Sequence, residues 1–194
     1  MSRSTNLKGK AAVTVAFLVS ATSSMAADVD GRYAVEGPGT QRCSAFSALA
    51  PTSQEYAITA GYISGYLGAS NALTSETYDL TPWQTLELSM IQIRQFCDSN
   101  PQASVAAGLA QYTAFLMPER IVEVEEKTSL QVGDQVVVQY QSVVERIRAA
   151  LNEKGFGSDG EPLDGLKDFQ LSIGVEATGL PDQITLTQLF VQSR

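Results

Sequence analysis

Between Val143 and Leu189, apolar residues return every three or four positions, and glycines cut the pattern into short pieces. Such steps place side chains on one face of an α-helix, and glycine is the residue that most readily ends one. The first piece puts Val144, Ile147 and Leu151 on one face and stops at Gly155. The second carries Leu163, Leu166, Phe169 and Ile173 and stops at Gly174. The third opens at Asp182, whose carboxylate can accept the orphan amides of a first turn, and buries Thr185, Leu186, Leu189 and Phe190. Leu180 precedes that cap and can pack back as a hydrophobic staple. The expected product is three short helices.

The order of smaller motifs within this stretch resembles the peptidoglycan-binding-domain-1 family, over about 135–192. The matching residues are Ile147, Leu151 and Gly155-Phe156, then Phe169-Gln170, then Thr178-Gly179-Leu180-Pro181-Asp182, then Thr185 and Leu189. The resemblance implies a small three-helix domain with peptidoglycan as its ligand. It implies ligand-binding positions at Phe169, Gln170, Gly179, Asp182 and Thr185. The chain departs from the family between the first two helices: Asp159-Gly160 is followed by Glu161-Pro162-Leu163, and the loop is shortened. That loop borders the family's ligand groove.

Composition narrows the chemistry. The chain has 194 residues, 44% of them hydrophobic, with a formal net charge of −8 and no histidine. That is enough apolar matter for packed cores, in one large domain or two small ones. The acidic balance argues against a nucleic-acid partner, because no basic patch exists to displace phosphate counterions. Without histidine there is no imidazole base, no Ser-His-Asp triad and no usual zinc ligand. The expectation is a chain that is not an enzyme and carries no cofactor or metal.

Residues 1–26 read as a secretory signal peptide. Arg3, Lys8 and Lys10 form a basic start, Ala11 to Val19 an apolar run, and Ser24-Met25-Ala26 a small-x-small cleavage pattern. Cleavage falls after Ala26, with Ala27 as the alternative. An uncleaved anchor is the competing reading, but spanning a bilayer takes about 20 apolar residues. Cleavage removes three of the 13 basic residues and none of the 21 acidic ones. No later segment is long and apolar enough to span a membrane. The mature chain is expected outside the cytoplasm, in the periplasm of a Gram-negative cell.

Cys43 and Cys97 are the only cysteines. In an oxidising compartment a lone pair is most simply a disulfide, and a long closed loop stabilises by roughly 4 kcal/mol in the chain-entropy account. Free buried thiols or a reactive cysteine are the alternatives. A thiolate would need a histidine or a nearby lysine, and neither position has one.

Ahead of the C-terminal module the chain reads as a helical bundle. Residues 27–39, with Gly31, Gly37, Pro38 and Gly39, form an extended, mobile lead-in. A short helix carries Cys43, Phe46 and Leu49 and ends at Pro51. Thr52-Ser53-Gln54-Glu55 is a capping-box pattern, so the next helix starts there and runs to about Leu73. Gly61, Gly65 and Gly68 recur along it and are expected to allow close packing against a neighbour. Thr81-Pro82 signals a third helix, with Trp83, Leu86, Met90, Ile93 and Cys97 as a stripe that buries Cys97. Asp98-Ser99-Asn100-Pro101 breaks it and is expected to cap the next, and Val105, Leu109, Tyr112 and Leu116 mark that fourth helix, ending at Pro118.

The pattern Arg42-Cys43, Gly61-Tyr62 with Gly65-Tyr66, and Phe96-Cys97 with Asn100-Pro101 resembles the HdeA-like family over about 40–117. These are small periplasmic helical proteins with one disulfide. The best-known members are acid-activated chaperones, and Tai-type amidase immunity proteins share a similar frame. The resemblance implies binding of an envelope protein or client, with no catalytic residues to carry over beyond the cysteines.

The expected organisation is mainly α: signal peptide 1–26, lead-in 27–39, a disulfide-linked helical bundle 40–118, an acidic linker 119–133, and a three-helix peptidoglycan-binding-like domain 134–194. The linker alternates Glu119, Glu123, Glu125 and Glu126 with Ile121, Val122 and Val124, and periodicity does not decide between helix and strand. Asp134 is expected to cap a longer first helix through Val136, Val137 and Tyr140. Two functions fit this organisation: a chaperone-like protein held at the wall, or an inhibitor or immunity-type partner of a wall hydrolase.

Overall fold

The computed structural model describes residues 28, 30, 32–157, 163 and 165–191. The expected signal peptide and the loop from Asp159 to Pro162 lie outside the described residues. The chain divides into 1–34 and 35–194. In the first unit, Arg32 pairs with Asp28 at 3.1 Å and Asp30 at 2.7 Å, both exposed. The second unit is mainly helical, with one two-stranded sheet among the described residues.

A 3₁₀ turn, Gly37–Thr40, precedes α1, Cys43–Ser47. This part of the expected lead-in is seated: a Cβ on Gly39 would lie 2.1 Å from the Tyr62 hydroxyl, so only glycine fits beneath that ring. The Cys43 N–H donates to the Ala103 carbonyl at 2.8 Å and the Val105 N–H to that of Gln41 at 2.9 Å, fastening α1 to the turn before α4. The Cys43–Cys97 disulfide joins α1 to α3 across a sequence separation of 54, with both residues fully buried.

Helix α2, Gln54–Leu73, starts where its cap signal falls, although Ser53 rather than Thr52 accepts the Tyr56 N–H, at 3.1 Å. Its buried stripe is Thr59, Ile63 and Leu67. Gly61, Gly65 and Gly68 lie on the opposite, exposed face, with nothing within 4 Å of where a Cβ would stand. They do not mediate close packing here, contrary to the expectation.

Helix α3, Leu86–Ser99, begins later than Thr81-Pro82 indicates. Asp79 Oδ1 accepts the Thr81 N–H at 2.9 Å in a local turn, and Thr85 is the cap that accepts the Leu88 N–H at 3.1 Å. The buried stripe shifts to Leu88, Met90, Ile93 and Cys97, leaving Leu86 exposed. Helix α4, Val105–Leu116, is capped by Ser104, which accepts the Ala107 N–H at 3.2 Å, and not by the expected 98–101 segment; it buries Val105, Leu109, Tyr112 and Leu116 as the spacing requires. The Tyr112 hydroxyl meets Ser89 Oγ at 3.0 Å inside the bundle, and burial pushes its phenol pKa up.

Residues 127–140 form no helix. Lys127–Val132 (β1) pairs antiparallel with Gln135–Tyr140 (β2) through the two-residue turn Gly133-Asp134. Gly133 has φ +58, and glycine there matches the first central position of tight hairpin turns. Helix α5, Gln141–Glu153, starts only after the hairpin and buries Val143, Val144, Ile147 and Leu151 before Gly155 ends it at φ +81. Helices α6, Leu166–Ser172, and α7, Gln183–Phe190, complete the chain. Leu180 is buried two residues ahead of the Asp182 cap.

There are two apolar cores. One gathers Cys43, Phe46, Ile63, Met90, Ile93, Leu109 and neighbours from α1 to α4. The other joins Val143, Ile147, Leu151, Phe169, Leu186 and Phe190 to Trp83, Leu88 and Ile121 from earlier in the chain. Trp83 packs edge-on against Phe190 with centroids 5.2 Å apart. The expected linker therefore does not separate the cores. No helix among the described residues is long and apolar enough to cross a membrane.

Candidate functional site

The structure brings together Gln170, Gly179, Asp182 and Thr185, and turns their polar groups inward. Gln170, on α6, is fully buried. Its carboxamide oxygen accepts the Gly179 N–H at 2.8 Å, which fixes the amide nitrogen on the other side. That nitrogen lies 2.9 Å from the Leu180 carbonyl, 3.1 Å from both Thr178 Oγ1 and Thr185 Oγ1, and 3.3 Å from Asp182 Oδ2. Asp182 uses its other oxygen to cap α7, accepting the Thr185 N–H at 2.8 Å. A buried amide left without partners costs about 1–3 kcal/mol, so this network gives the α6–α7 turn one shape. Phe169 is buried against Phe156, edge to face at 5.5 Å. These five residues position the turn; their side chains present no free polar group to a ligand.

The surface they shape is one wall of a groove of about 800 Å³. The opposite wall is the strand β1, residues 128–132, and the near wall is made by Leu163, Gly165, Lys167, Asp168, Gly179 and Leu180. Gly179 has φ +74, and a Cβ there would stand 2.7 Å from Lys167 Cε. The alkyl stem of Lys167 therefore lies over that glycine. Lys167 and Asp168 are exposed, and neither makes an ion pair among the described residues. Thr128, Leu130 and Val132 form the half-buried face of β1.

A second depression, about 740 Å³, lies between 118–125 and the start of α5. Several polar groups in and beside it are engaged. Arg146 pairs with Glu119 and lies over the Phe190 ring at 4.5 Å, and its burial lowers the guanidinium pKa. Glu125 accepts the Ser142 hydroxyl at 2.6 Å. The Tyr140 hydroxyl donates to Asp79 Oδ2 at 3.1 Å. Two members of the acidic cluster thus fasten α5 rather than await a cation. Among the described residues, no group of three or more His, Cys, Asp or Glu is arranged to hold a metal.

The strand wall, with Lys167 and Asp168, was not among the residues expected at the site. A signal for it exists in Val132-Gly133-Asp134-Gln135, a turn pair between β-branched runs. Compared with known proteins, the chain matches no family model, no curated protein and no solved structure.

Proposed function

We propose that this chain is a non-catalytic, exported envelope protein that works by binding. In this reading the disulfide-linked helices engage a protein partner or client, and the C-terminal helices hold the chain to peptidoglycan through the groove beside the α6–α7 turn. The observation that carries the reading is the groove itself. It lies on a turn that the fully buried Gln170 holds in one shape, between a strand and two exposed ionic side chains that make no ion pair among the described residues. Pre-formed concavity with a few convergent polar groups is what a binding site requires. The basic start and apolar run of 1–26 support export, and the disulfide suits an oxidising compartment.

The test is co-sedimentation of the chain from Ala27 to Arg194 with purified peptidoglycan, beside the double variant Lys167→Glu, Asp168→Lys. Both side chains are exposed, so the variant keeps the fold and changes only the groove. Retention of the parent with loss in the variant is expected. Absence of any retention overturns wall binding and leaves a protein partner as the sole ligand class.

A further inference from the structure

We infer that the groove takes the peptide portion of the wall polymer, laid extended along the free edge of β1, rather than its glycan chain. The inference rests on the wall-binding reading and names which part of that polymer is bound.

The hairpin supplies the first argument. In a two-residue hairpin the pair flanking the turn is hydrogen-bonded, and such pairs then alternate. The register sets Val132 against Gln135, Leu130 against Val137 and Thr128 against Gln139 in those positions. The Gln141 N–H bonds the Glu126 carbonyl at 3.2 Å, which fits the same alternation. The backbone N–H and C=O groups of Ser129 and Gln131 therefore point away from β2. Among the described residues the sheet has no third strand and no hydrogen bond uses those groups. An edge of this kind pairs with an extended chain carrying amides of its own. A sugar chain offers hydroxyls at a different repeat.

Side-chain chemistry points the same way. A pyranose ring presents a flat C–H face that an aromatic ring covers well, and no aromatic residue lines this groove among the described residues. Among the described residues it offers instead Leu130, Leu163 and Leu180 for short aliphatic side chains, with one ammonium, Lys167, beside one carboxylate, Asp168. Wall stem peptides carry carboxylates together with a free amine, so each charge in the groove has a counterpart. The six residues of β1 give about 20 Å of edge, enough for a peptide of four or five residues.

The experiment compares three probes on the same protein: intact sacculi, glycan strands stripped of peptide by an amidase, and a soluble stem tetrapeptide as competitor. The expected result is retention on sacculi, none on stripped strands, and displacement by the tetrapeptide. The variant Ser129→Pro removes one outward N–H at a position where proline does not break the ladder. It should weaken binding about fivefold, the effect of one hydrogen bond, with unchanged thermal unfolding. Equal retention on stripped strands and sacculi overturns the inference and keeps the wall reading. Failure to bind sacculi overturns both. A solution dimer that Ser129→Pro dissociates places a second copy of β1 on this edge and likewise overturns it.

Discussion

The Gln183 side-chain oxygen accepts the backbone N–H of Thr85 at 2.6 Å, so the first residue of α7 grips the cap of α3 from 98 positions away. Beside this contact Trp83 covers Phe190, and Leu88 and Ile121 enter the same core as α5 to α7. Two helix starts far apart in the chain are thereby fixed against each other. The C-terminal helices complete their core with residues supplied by the bundle.

Removing Trp83 should therefore destabilise both halves together. Trp83→Ala takes a nearly buried indole from the second core, and large-to-small changes of this kind cost about 3–5 kcal/mol. Urea unfolding followed by near-UV and far-UV circular dichroism should show one shared transition moved to lower denaturant. A chain ending at Thr128 should aggregate, because Leu88 and Ile121 would lose their cover. Separate transitions for the two cores would show that the shared residues do not couple them.

Gln170 offers a sharper test of the α6–α7 turn. Gln170→Leu keeps the volume and strands the Gly179 N–H in the interior, a loss of about 1–3 kcal/mol for that donor alone. Gln170→Glu should be worse, since a carboxylate cannot donate to the Leu180 carbonyl and would lie near Asp182. Both variants should also lose wall binding in proportion to the unfolded or rearranged turn. Undiminished stability in Gln170→Glu would remove the network as the organiser of the site.

Two sets of glycines should respond with opposite signs. Gly179 sits at φ +74, so Gly179→Ala forces an L-residue into a left-handed conformation, at roughly 1–2 kcal/mol. The contact with Lys167 adds little, because the far part of that side chain can move. Gly61 and Gly65 are helical with open space around them, and alanine there should stabilise α2 by about 0.5–1 kcal/mol each. Thermal midpoints of the single variants measure both. An unexpected loss at Gly61 or Gly65 would mean that a partner covers that face.

These contrasts bear on what the sequence could reveal. The start of α2 to within a residue, the Asp182 cap, the α4 stripe and the α5 stop at Gly155 were legible because each is decided by residues within a turn or two. The hairpin was not. Val136, Val137 and Tyr140 continue a helical spacing into Val143 and Ile147, and only the Gly133-Asp134 turn and the β-branched run argue otherwise. The start of α3 failed for a different reason: Thr81-Pro82 is a fair cap signal, but Asp79 captures Thr81 and the second core claims Trp83. At the candidate site, the motif spacing named residues that the structure brings together, and could not say which way their side chains face. That depends on the third dimension, where Gln170 meets a turn nine residues on.

The disulfide closes a loop of 54 residues in a core already well packed. Replacing both cysteines by alanine should cost roughly 4 kcal/mol, and more if the two small side chains leave voids. The parent under reducing conditions should lose a similar amount, measured as a shift in urea midpoint. A negligible shift in both would show that α1 is held instead by its backbone bonds to Ala103 and Gln41.

High pH tests the contact between Tyr140 and Asp79. Burial, then the Asp79 carboxylate that accepts the phenol proton, pushes Tyr140 up to about 12, whereas an unfolded tyrosine titrates near 10. The folded state thus holds a proton that the unfolded chain releases. The stability from this group is fully present below pH 10 and is lost as pH rises from there to about 12. Tyr140→Phe should be less stable than the parent at pH 8, by about 1 kcal/mol for the lost hydrogen bond. It should show a shallower decline between pH 10 and 12. Lys127, whose ammonium lies 4.2 Å from the ring centroid, keeps its contact with phenylalanine, so the comparison isolates the hydroxyl. Parallel curves for parent and variant across that range would place the alkaline loss at another group.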